Sequence, residues 1–347
     1  MVTRDGFTIR AGGVPDEADV RTIREQLPTA PADVASVLAN RELFGRLALD
    51  ALLPAMRSTV EDLAPDLVVR EPTEYASAVV ASQRSLPVAQ IAISLANAEW
   101  ASIDTAAPAV ERHNPSIAAA LRSTPYFSRF PAALDPSPFA ATFRYHVPVP
   151  RVAPRLPSSW WPDTYQPLVY VTLGTVTGHL ASAPQLFRVV VEALSSVRAR
   201  AVGRTLDASF LGDLPPNVHC ESWIDQDLIL PHADLVVCHG GSGTVYGALD
   251  HGVPLVVIPS FADQFANGHL IEQNGLGRCI ESESAHGSTS RSMVTSSDIP
   301  RVSGAILEIL NDHAFRTRVT EIADQKRSTP STLDIVSDFE RMAFPAS

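Results

Sequence analysis

One stretch of the chain, residues 234–259, constrains the fold more than any other. Its first five residues form a short apolar run, as expected for a strand that is covered on both faces. A glycine-rich turn follows, then a predicted helix at residues 244–250, and then a second apolar run at residues 255–258. The order of strand, glycine turn, helix and strand is typical of an α/β fold with a parallel sheet.

The turn between the strand and the helix is the first candidate binding site. Gly240, Gly241 and Gly243 allow a sharp backbone turn. The helix that follows presents free N–H groups and a positive dipole end, which suit a phosphate. His239 lies at the carboxyl end of the strand, where open α/β sheets bind ligands. A plain strand-to-helix turn would also account for the glycines, so the glycines alone leave both interpretations open.

Other motifs surround this turn. The segment Trp223-Ile-Asp-Gln226 precedes it, Ala262-Asp-Gln264 follows it, and Val169-Tyr-Val-Thr-Leu-Gly-Thr175 predicts a further strand and turn. In this order the motifs resemble the donor-binding domain of family-1 nucleotide-sugar-dependent glycosyltransferases. They are most similar to the bacterial enzymes that attach deoxysugars to natural products. The resemblance implies the GT-B architecture, an α/β fold of two facing Rossmann-like domains.

The resemblance also implies a site for a nucleoside diphosphate sugar. His239 and the start of the helix would bind the diphosphate, and Thr175 would contact it as well. No metal and no cofactor are expected, because the nucleotide sugar is a substrate and no Asp-x-Asp pair is placed to hold a cation. The implied donor-binding residues are Thr175, Trp223, Ile224, Gln226, His239, Gly240, Gly241, Ser242, Gly243, Thr244, Asp263 and Gln264.

Several of these residues have a second interpretation. The ring of Trp223 would stack on the base, an interaction worth about 1–3 kcal/mol, but a tryptophan in the core fits the sequence too. His239 would otherwise cap the turn. Asp263, which would bond the sugar hydroxyls together with Gln264, would otherwise be the N-cap of the next helix. Asp225 replaces the proline that the family carries at that position.

Gly247 bears on which nucleotide is bound. Relatives that use ribonucleotide donors often carry a glutamate at this position, where it bonds the ribose hydroxyls. A deoxyribose lacks one of those hydroxyls, so less is lost when the glutamate is absent. The sequence therefore predicts a preference for a thymidine diphosphate (TDP) sugar over a uridine diphosphate (UDP) sugar.

The first half resembles the family's acceptor domain without its opening segment. That domain starts with a buried strand, a Gly-His loop and a helix, whereas this chain starts near the second strand, predicted at residues 7–11. We therefore expect an incomplete N-terminal domain. The family's catalytic base is the histidine of that loop, so no residue here is assigned as catalytic. Glu71 or Glu74 is a candidate to orient such a histidine, and a solvated helix start explains both carboxylates equally well.

The activity that the resemblance implies is inverting transfer of a (deoxy)sugar to a hydroxyl of a small, hydrophobic natural-product acceptor. The sugar would pass through an oxocarbenium-like state. Loops at residues 93–100 and 126–130 are predicted to line the acceptor pocket. The alternative is a non-catalytic nucleotide-sugar-binding or partner protein derived from such an enzyme, which the missing Gly-His loop favours.

The pattern along the chain predicts four segments. They are an acceptor-binding domain at 1–146, a proline- and tryptophan-rich linker at 147–166, a donor domain at 167–331, and a helix at 332–347 that returns to the first domain. Further strands are predicted at 66–70, 87–94, 139–145, 168–173, 199–203, 218–224 and 278–280. Further helices are predicted at 41–63, 73–83 and 107–122.

Bulk composition narrows the classes of partner. A net charge of −11 argues against nucleic acid, which needs a basic surface. No apolar run approaches the roughly 20 residues that span a membrane, and the first residues lack the apolar core of a signal peptide. Three cysteines without metal-like spacing are interpreted as buried thiols in a reducing cytoplasm. The oligomeric state is left open, with a homodimer as one option.

Overall fold

The computed structural model describes residues 6–27, 30–150, 152–157, 160, 167–175, 183–204, 212–282 and 294–344. The chain divides into two compact units. The first comprises Met1–Ser128, Asp135–Tyr145 and Thr332–Ser347, and the second comprises Arg129–Leu134 and His146–Ser331. Each unit contains a parallel β-sheet and a set of helices, so the predicted α/β class is confirmed.

The first unit is built on a parallel sheet of four strands in the order β1-β2-β3-β4. The strands contain polar and aromatic residues as well as apolar ones. Helices cover the sheet, so several of these polar side chains are buried too. The strands are β1 (Val68–Arg70), β2 (Val88–Ile91), β3 (Tyr126–Ser128) and β4 (Thr142–Arg144).

Helices before, between and after these strands complete the first unit. A π-helix and α3 follow α2 along the chain, and the predicted helix at 41–63 falls within this stretch. The last helix, α13, packs Ile335 and Phe339 against Phe127 of β3. The helices are α1 (Glu17–Gln26), α2 (Ala32–Ser36), the π-helix (Val37–Ala48), α3 (Leu49–Leu63), α4 (Ala76–Arg84), α5 (Ala96–Val110), α6 (Ile117–Ser123) and α13 (Thr332–Ala343).

The second unit contains a parallel sheet of six strands in the order β10-β9-β8-β5-β6-β7. The central strands β5 and β8 are buried along their whole length, which explains why both are continuous apolar runs. The strands are β5 (Leu168–Thr172), β6 (Arg200–Arg204), β7 (Val218–Glu221), β8 (Leu235–Cys238), β9 (Leu255–Val257) and β10 (Gly277–Cys279).

Amphipathic helices cover this sheet. Leu186 and Phe187 of α7 and Ile306 of α11 join the core with the strands. The helices are α7 (Ala183–Ser195), α8 (Gln226–Ile229), α9 (Ser242–Asp250), α10 (Gln264–Gln273), α11 (Ile299–Asn311) and α12 (His313–Arg327), with short 3₁₀ turns at Leu230–His232 and Ser296–Asp298. No helix in the described ranges is long and apolar enough to cross a membrane.

A buried ion pair joins α9 to α12. The chain's only lysine, Lys326, is 2% exposed, and its Nζ lies 2.5 Å from Oδ1 of Asp250. Burial lowers the pKa of Lys326, and the Asp250 carboxylate opposes that shift. Arg129 contacts the other carboxylate oxygen and lies over the ring of Tyr246. Because the buried ammonium of Lys326 faces this carboxylate, removing Asp250 would leave a buried charge without compensation.

Several predicted elements of the first half were wrong. Residues 7–11 form no strand, because none of the described strands lies beside them, and Phe7 is 66% exposed. The predicted loop at 126–130 contains β3, and the predicted strand at 139–145 shortens to β4. The predicted helix at 107–122 is divided between α5 and α6, and α5 starts well before it. Of the predicted linker, residues 151, 158–159 and 161–166 lie outside the described residues.

A buried carboxyl lies inside the first unit. Glu99 of α5 is 2% exposed and accepts hydrogen bonds from the backbone N–H of Ile93 at 2.7 Å and Ser94 at 2.6 Å. The hydroxyl of Tyr126 donates to its second oxygen. Burial raises the pKa of Glu99 to about 8, although these hydrogen bonds oppose the shift. The carboxyl is therefore mostly protonated at neutral pH.

Replacing this carboxyl should change how stability depends on pH. Between the ordinary pKa of 4.5 and the folded pKa of about 8, the folded chain holds a proton that the unfolded chain has lost. Stability should therefore fall as pH rises through this window, and Glu99→Gln should flatten that fall and stabilise the protein at pH 8 by on the order of a few kcal/mol. Urea unfolding at several pH values measures this, with Glu17→Gln at an exposed site as the control. Parallel curves for wild type and Glu99→Gln would contradict the prediction.

Candidate functional site

The candidate site lies at the carboxyl edge of the second unit's sheet. β5 and β8 are neighbours, with Thr172 opposite Cys238 in register. The turn after β5 and the turn after β8 therefore emerge side by side, as the strand order requires. Gly174 and Gly240 have φ angles of +67° and +86°, a left-handed conformation that favours glycine. Two glycine turns thus meet at one edge.

His239 is enclosed between these turns. A Cβ atom on Gly174 would lie 2.5 Å from Cε1 of the His239 ring, and one on Gly241 would lie 2.4 Å from its Nε2. The side chain is 7% exposed, and its Nδ1 has no hydrogen-bond partner among the described residues. Burial lowers the pKa of His239 to about 4, although a backbone hydrogen bond with Thr172 opposes the shift. The ring is therefore neutral at pH 7 and offers a hydrogen bond instead of a full charge.

The start of helix α9 adds backbone donors next to this ring. Gly241 is its N-cap, and Ser242 and Gly243 follow as the first helical residues. The N–H groups at a helix start have no partner inside the helix and carry partial positive charge. Thr244 is buried in the first turn, and its hydroxyl accepts a hydrogen bond from the Gln226 amide at 3.3 Å. Two motifs far apart in sequence, residues 223–226 and 239–244, are thus brought together.

A cleft of about 310 Å³ opens beside these turns. Trp223 lines it and is 60% exposed, so the interpretation of Trp223 as a core residue is excluded. Asp225 caps α8 by accepting from the N–H of Asp227, which gives the loop a defined end without the family's proline. Asp225 and Asp227 line the cleft too, and the other lining residues are Tyr170, Thr172, Gly174, Thr175, Arg204, Ile224 and Gln226.

Arg204 is a cleft residue that the sequence interpretation missed. It ends β6, is 8% exposed, and donates from Nη1 to the carbonyl of Gly174 at 2.8 Å. Its guanidinium carbon lies 4.7 Å from the centre of the Trp223 ring. Arg204 therefore joins the glycine turn to the exposed tryptophan. A charged residue that ends an apolar strand was the available signal, since ligands bind at that end of a parallel sheet.

Asp263 and Gln264 are held by a second network. The Asp263 carboxylate accepts from the Ser242 hydroxyl at 2.9 Å, and Asn267 donates to the Gly240 carbonyl and to the Ser242 hydroxyl. Asp263 is the N-cap of α10 without a capping bond from its side chain. Gln264 is buried, and its Oε1 accepts from the backbone of its own loop. The structure places both residues beside the α9 turn, and their contact with a sugar stays a prediction.

Glu71 and Glu74 follow β1 in the first unit, and both carboxylates bind local groups. Glu71 accepts from the N–H and the hydroxyl of Thr73. Glu74 accepts from the N–H of Ala76 at 2.7 Å and of Ser77 at 3.1 Å, at the start of α4. These bonds agree with the interpretation of a helix start. The role of orienting a catalytic group stays a prediction.

Comparison with known proteins shows which proteins the chain resembles. Residues 189–342 match the family described as erythromycin biosynthesis protein CIII-like, C-terminal domain. The demethyllactenocin mycarosyltransferase of Streptomyces fradiae is 31% identical over 255 residues, which cover 65% of this chain and 55% of the relative. The chain thus spans about half the length of that relative. The elloramycin glycosyltransferase of Streptomyces olivaceus is 28% identical over 327 residues, covering 93% of this chain and 78% of the relative.

Solved structures agree on the fold. The spinosyn rhamnosyltransferase SpnG complexed with thymidine diphosphate has a TM-score of 0.70 and 22% identity, and the match covers 94% of this chain and 82% of that one. The predicted resemblance to bacterial natural-product glycosyltransferases with the GT-B fold is therefore confirmed.

Gly174→Ala should disturb the site through His239. The new methyl group would require a left-handed alanine, which costs about 1–2 kcal/mol, and it would overlap the imidazole. We expect lower thermal stability and an affinity for thymidine diphosphate reduced at least tenfold. Calorimetric titration and thermal unfolding measure both effects.

Gly304→Ala is the matched control for this change. Apart from its chain neighbours and the backbone of its own helix, no atom lies within 4 Å of the added methyl group, and alanine favours a helix by about 0.5–1 kcal/mol over glycine. The control should therefore be at least as stable as wild type and should bind equally well. If Gly174→Ala bound thymidine diphosphate as tightly as the wild type, the contact between this turn and His239 would not be needed for binding.

Proposed function

We propose that this chain binds a nucleoside diphosphate sugar, with thymidine diphosphate preferred, and transfers the sugar to a hydroxyl of a small hydrophobic natural-product acceptor. One observation carries the proposal. The neutral His239, the start of α9 and the Arg204–Trp223 pair lie at one carboxyl edge of the same parallel sheet. Relatives named as glycosyltransferases support the reaction class.

The diphosphate would bind where the two glycine turns meet. Backbone N–H groups at the start of α9 and a ring N–H of His239 would donate to its oxygens, and Thr175 would contact it from the turn after β5. Arg204, which is bonded to the Gly174 carbonyl, would add a positive charge beside the same turn. The leaving diphosphate gains negative charge as the sugar departs, so donors already in place lower the barrier.

The nucleobase would stack on the exposed ring of Trp223. Arg204 lies over the same ring and holds it at one side of the cleft. Ile224 would offer its backbone groups to the edge of the base. The glycosyl carbon would then lie toward Asp263 and Gln264, whose polar groups would bond the sugar hydroxyls.

In the transfer step, the acceptor oxygen forms a bond to the anomeric carbon while the bond from that carbon to the diphosphate oxygen breaks. Attack from the opposite face inverts the configuration. The hydroxyl proton passes to a base that we do not assign to any residue here. Release of a nucleoside diphosphate in step with acceptor glycosylation is the expected result. Donor binding without any turnover would favour the alternative, a nucleotide-sugar-binding protein.

The nucleotide preference is tested by direct titration. The position where ribonucleotide users carry glutamate is Gly247, and a Cβ there would lie 2.9 Å from Leu230 and 3.0 Å from the Gln226 amide oxygen. The site thus has little room for a longer side chain directed at a ribose. We expect TDP to bind several-fold more tightly than UDP in calorimetric titrations. Equal or tighter binding of UDP would overturn the preference and leave the reaction class standing.

Trp223→Ala should weaken TDP binding about 10- to 100-fold, since base stacking on an aromatic ring is worth about 1–3 kcal/mol. Inorganic pyrophosphate has no base, so its weaker affinity should not change. Trp160→Ala is the control, because Trp160 bonds Glu221 and is not among the cleft residues. If Trp223→Ala lost affinity for pyrophosphate as well as for TDP, the ring would maintain the shape of the cleft and would not stack on the base.

A further inference from the structure

A second cluster of chemically reactive side chains lies in the same unit, between α10 and the edge strand β10. His269 projects from α10, and Cys279 is the last residue of β10. Glu281 follows two residues later along extended backbone, and the Ile280 N–H continues the ladder to Val257. Because side chains alternate along extended chain, Cys279 and Glu281 project from the same face.

The donor atoms of these three residues converge. One imidazole nitrogen of His269, the Cys279 sulfur and one Glu281 carboxylate oxygen all lie within 4.8 Å of one another. Around a single zinc ion such atoms lie roughly 3–4 Å apart, given metal–ligand distances of about 2.0–2.3 Å. Small side-chain movements would therefore bring all three onto one ion. No other group of three such residues converges in the described part of the chain.

Neighbouring groups make the place suitable for a cation. A Cβ on Gly268 would lie 2.5 Å from the Cys279 sulfur, so this glycine lets the thiol approach the helix beside His269. The Glu272 carboxylate accepts from the Cys279 N–H at 3.4 Å and adds a second negative charge. The carboxylates of Glu281 and Glu272 thus place negative charge near Cys279, which favours a divalent cation at this position.

We propose that His269, Cys279 and Glu281 bind a zinc-like divalent cation that links α10 to β10. Imidazole, thiolate and carboxylate are all zinc ligands, and the thiolate selects against magnesium and calcium. On binding, the thiol proton passes to solvent and a metal–sulfur bond forms, with no change in oxidation state. A water molecule would complete the fourth position of a tetrahedral site. The proposal does not depend on the glycosyltransferase function.

Cobalt titration of the full, untagged chain in metal-free, reducing buffer tests the site. Cobalt bound by a cysteine gives a thiolate-to-metal absorption band in the near ultraviolet. We expect this band to saturate at a single cobalt per chain and to disappear when zinc is added, because zinc binds such ligands more tightly than cobalt. Zinc should also raise the thermal unfolding midpoint.

Variants assign the band to these residues. Cys279→Ser should abolish it, and His269→Ala should weaken cobalt binding at least tenfold. His269 is exposed, so its replacement leaves the fold intact. Cys220→Ser is the control, since Cys220 lies in β7 and is not in the cluster, and it should keep the band.

Three results would overturn the proposal. They are no absorption band in the wild type, a band that survives in Cys279→Ser, or a band lost in Cys220→Ser. The first of these would identify the contact between His269 and Glu281 as an ordinary surface ion pair beside a buried thiol. Because binding of thymidine diphosphate is measured separately, failure of either proposal can be told from failure of the other.

Discussion

The packing of the His239 ring between two glycines determines the geometry of the candidate site. Both approaches are so close that no other residue type fits at Gly174 or Gly241 without displacing the ring. The pairing of β5 with β8 sets which turns meet, and burial by those turns keeps the ring neutral. The conformation of the two glycine turns, the pairing of β5 with β8 and the neutral state of His239 therefore belong together, and they determine the geometry at this edge of the sheet.

The second unit could be predicted well from sequence because its central strands are buried on both faces. β5 and β8 are continuous apolar runs, which leave little doubt about their type. The glycine turn after β8 and the tryptophan of the cleft could be predicted because their motifs resemble those of a known family. Arg204 was missed because it belongs to no motif, and only the strand order places it beside Trp223.

The first unit was harder because none of its strands is longer than four residues, whereas β5 and β6 of the second unit have five each. A run such as β3 has three residues, too few to show a period, and its burial depends on helices distant in sequence. Residues 7–11 alternate like a strand but have no partner strand, so hydrophobic pattern alone was misleading there. The His269–Cys279–Glu281 cluster has no sequence signature either, since the fold alone unites a helix position with two positions on extended chain.

The buried lysine offers a way to follow local opening of this protein in solution. Lys326 is the chain's only lysine, and its amine is enclosed with Asp250 between α9 and α12. Reagents that acylate side-chain amines reach it only when that packing opens. The rate of amine modification at this residue therefore reports local opening of the unit that carries the cleft, without any label having to be introduced.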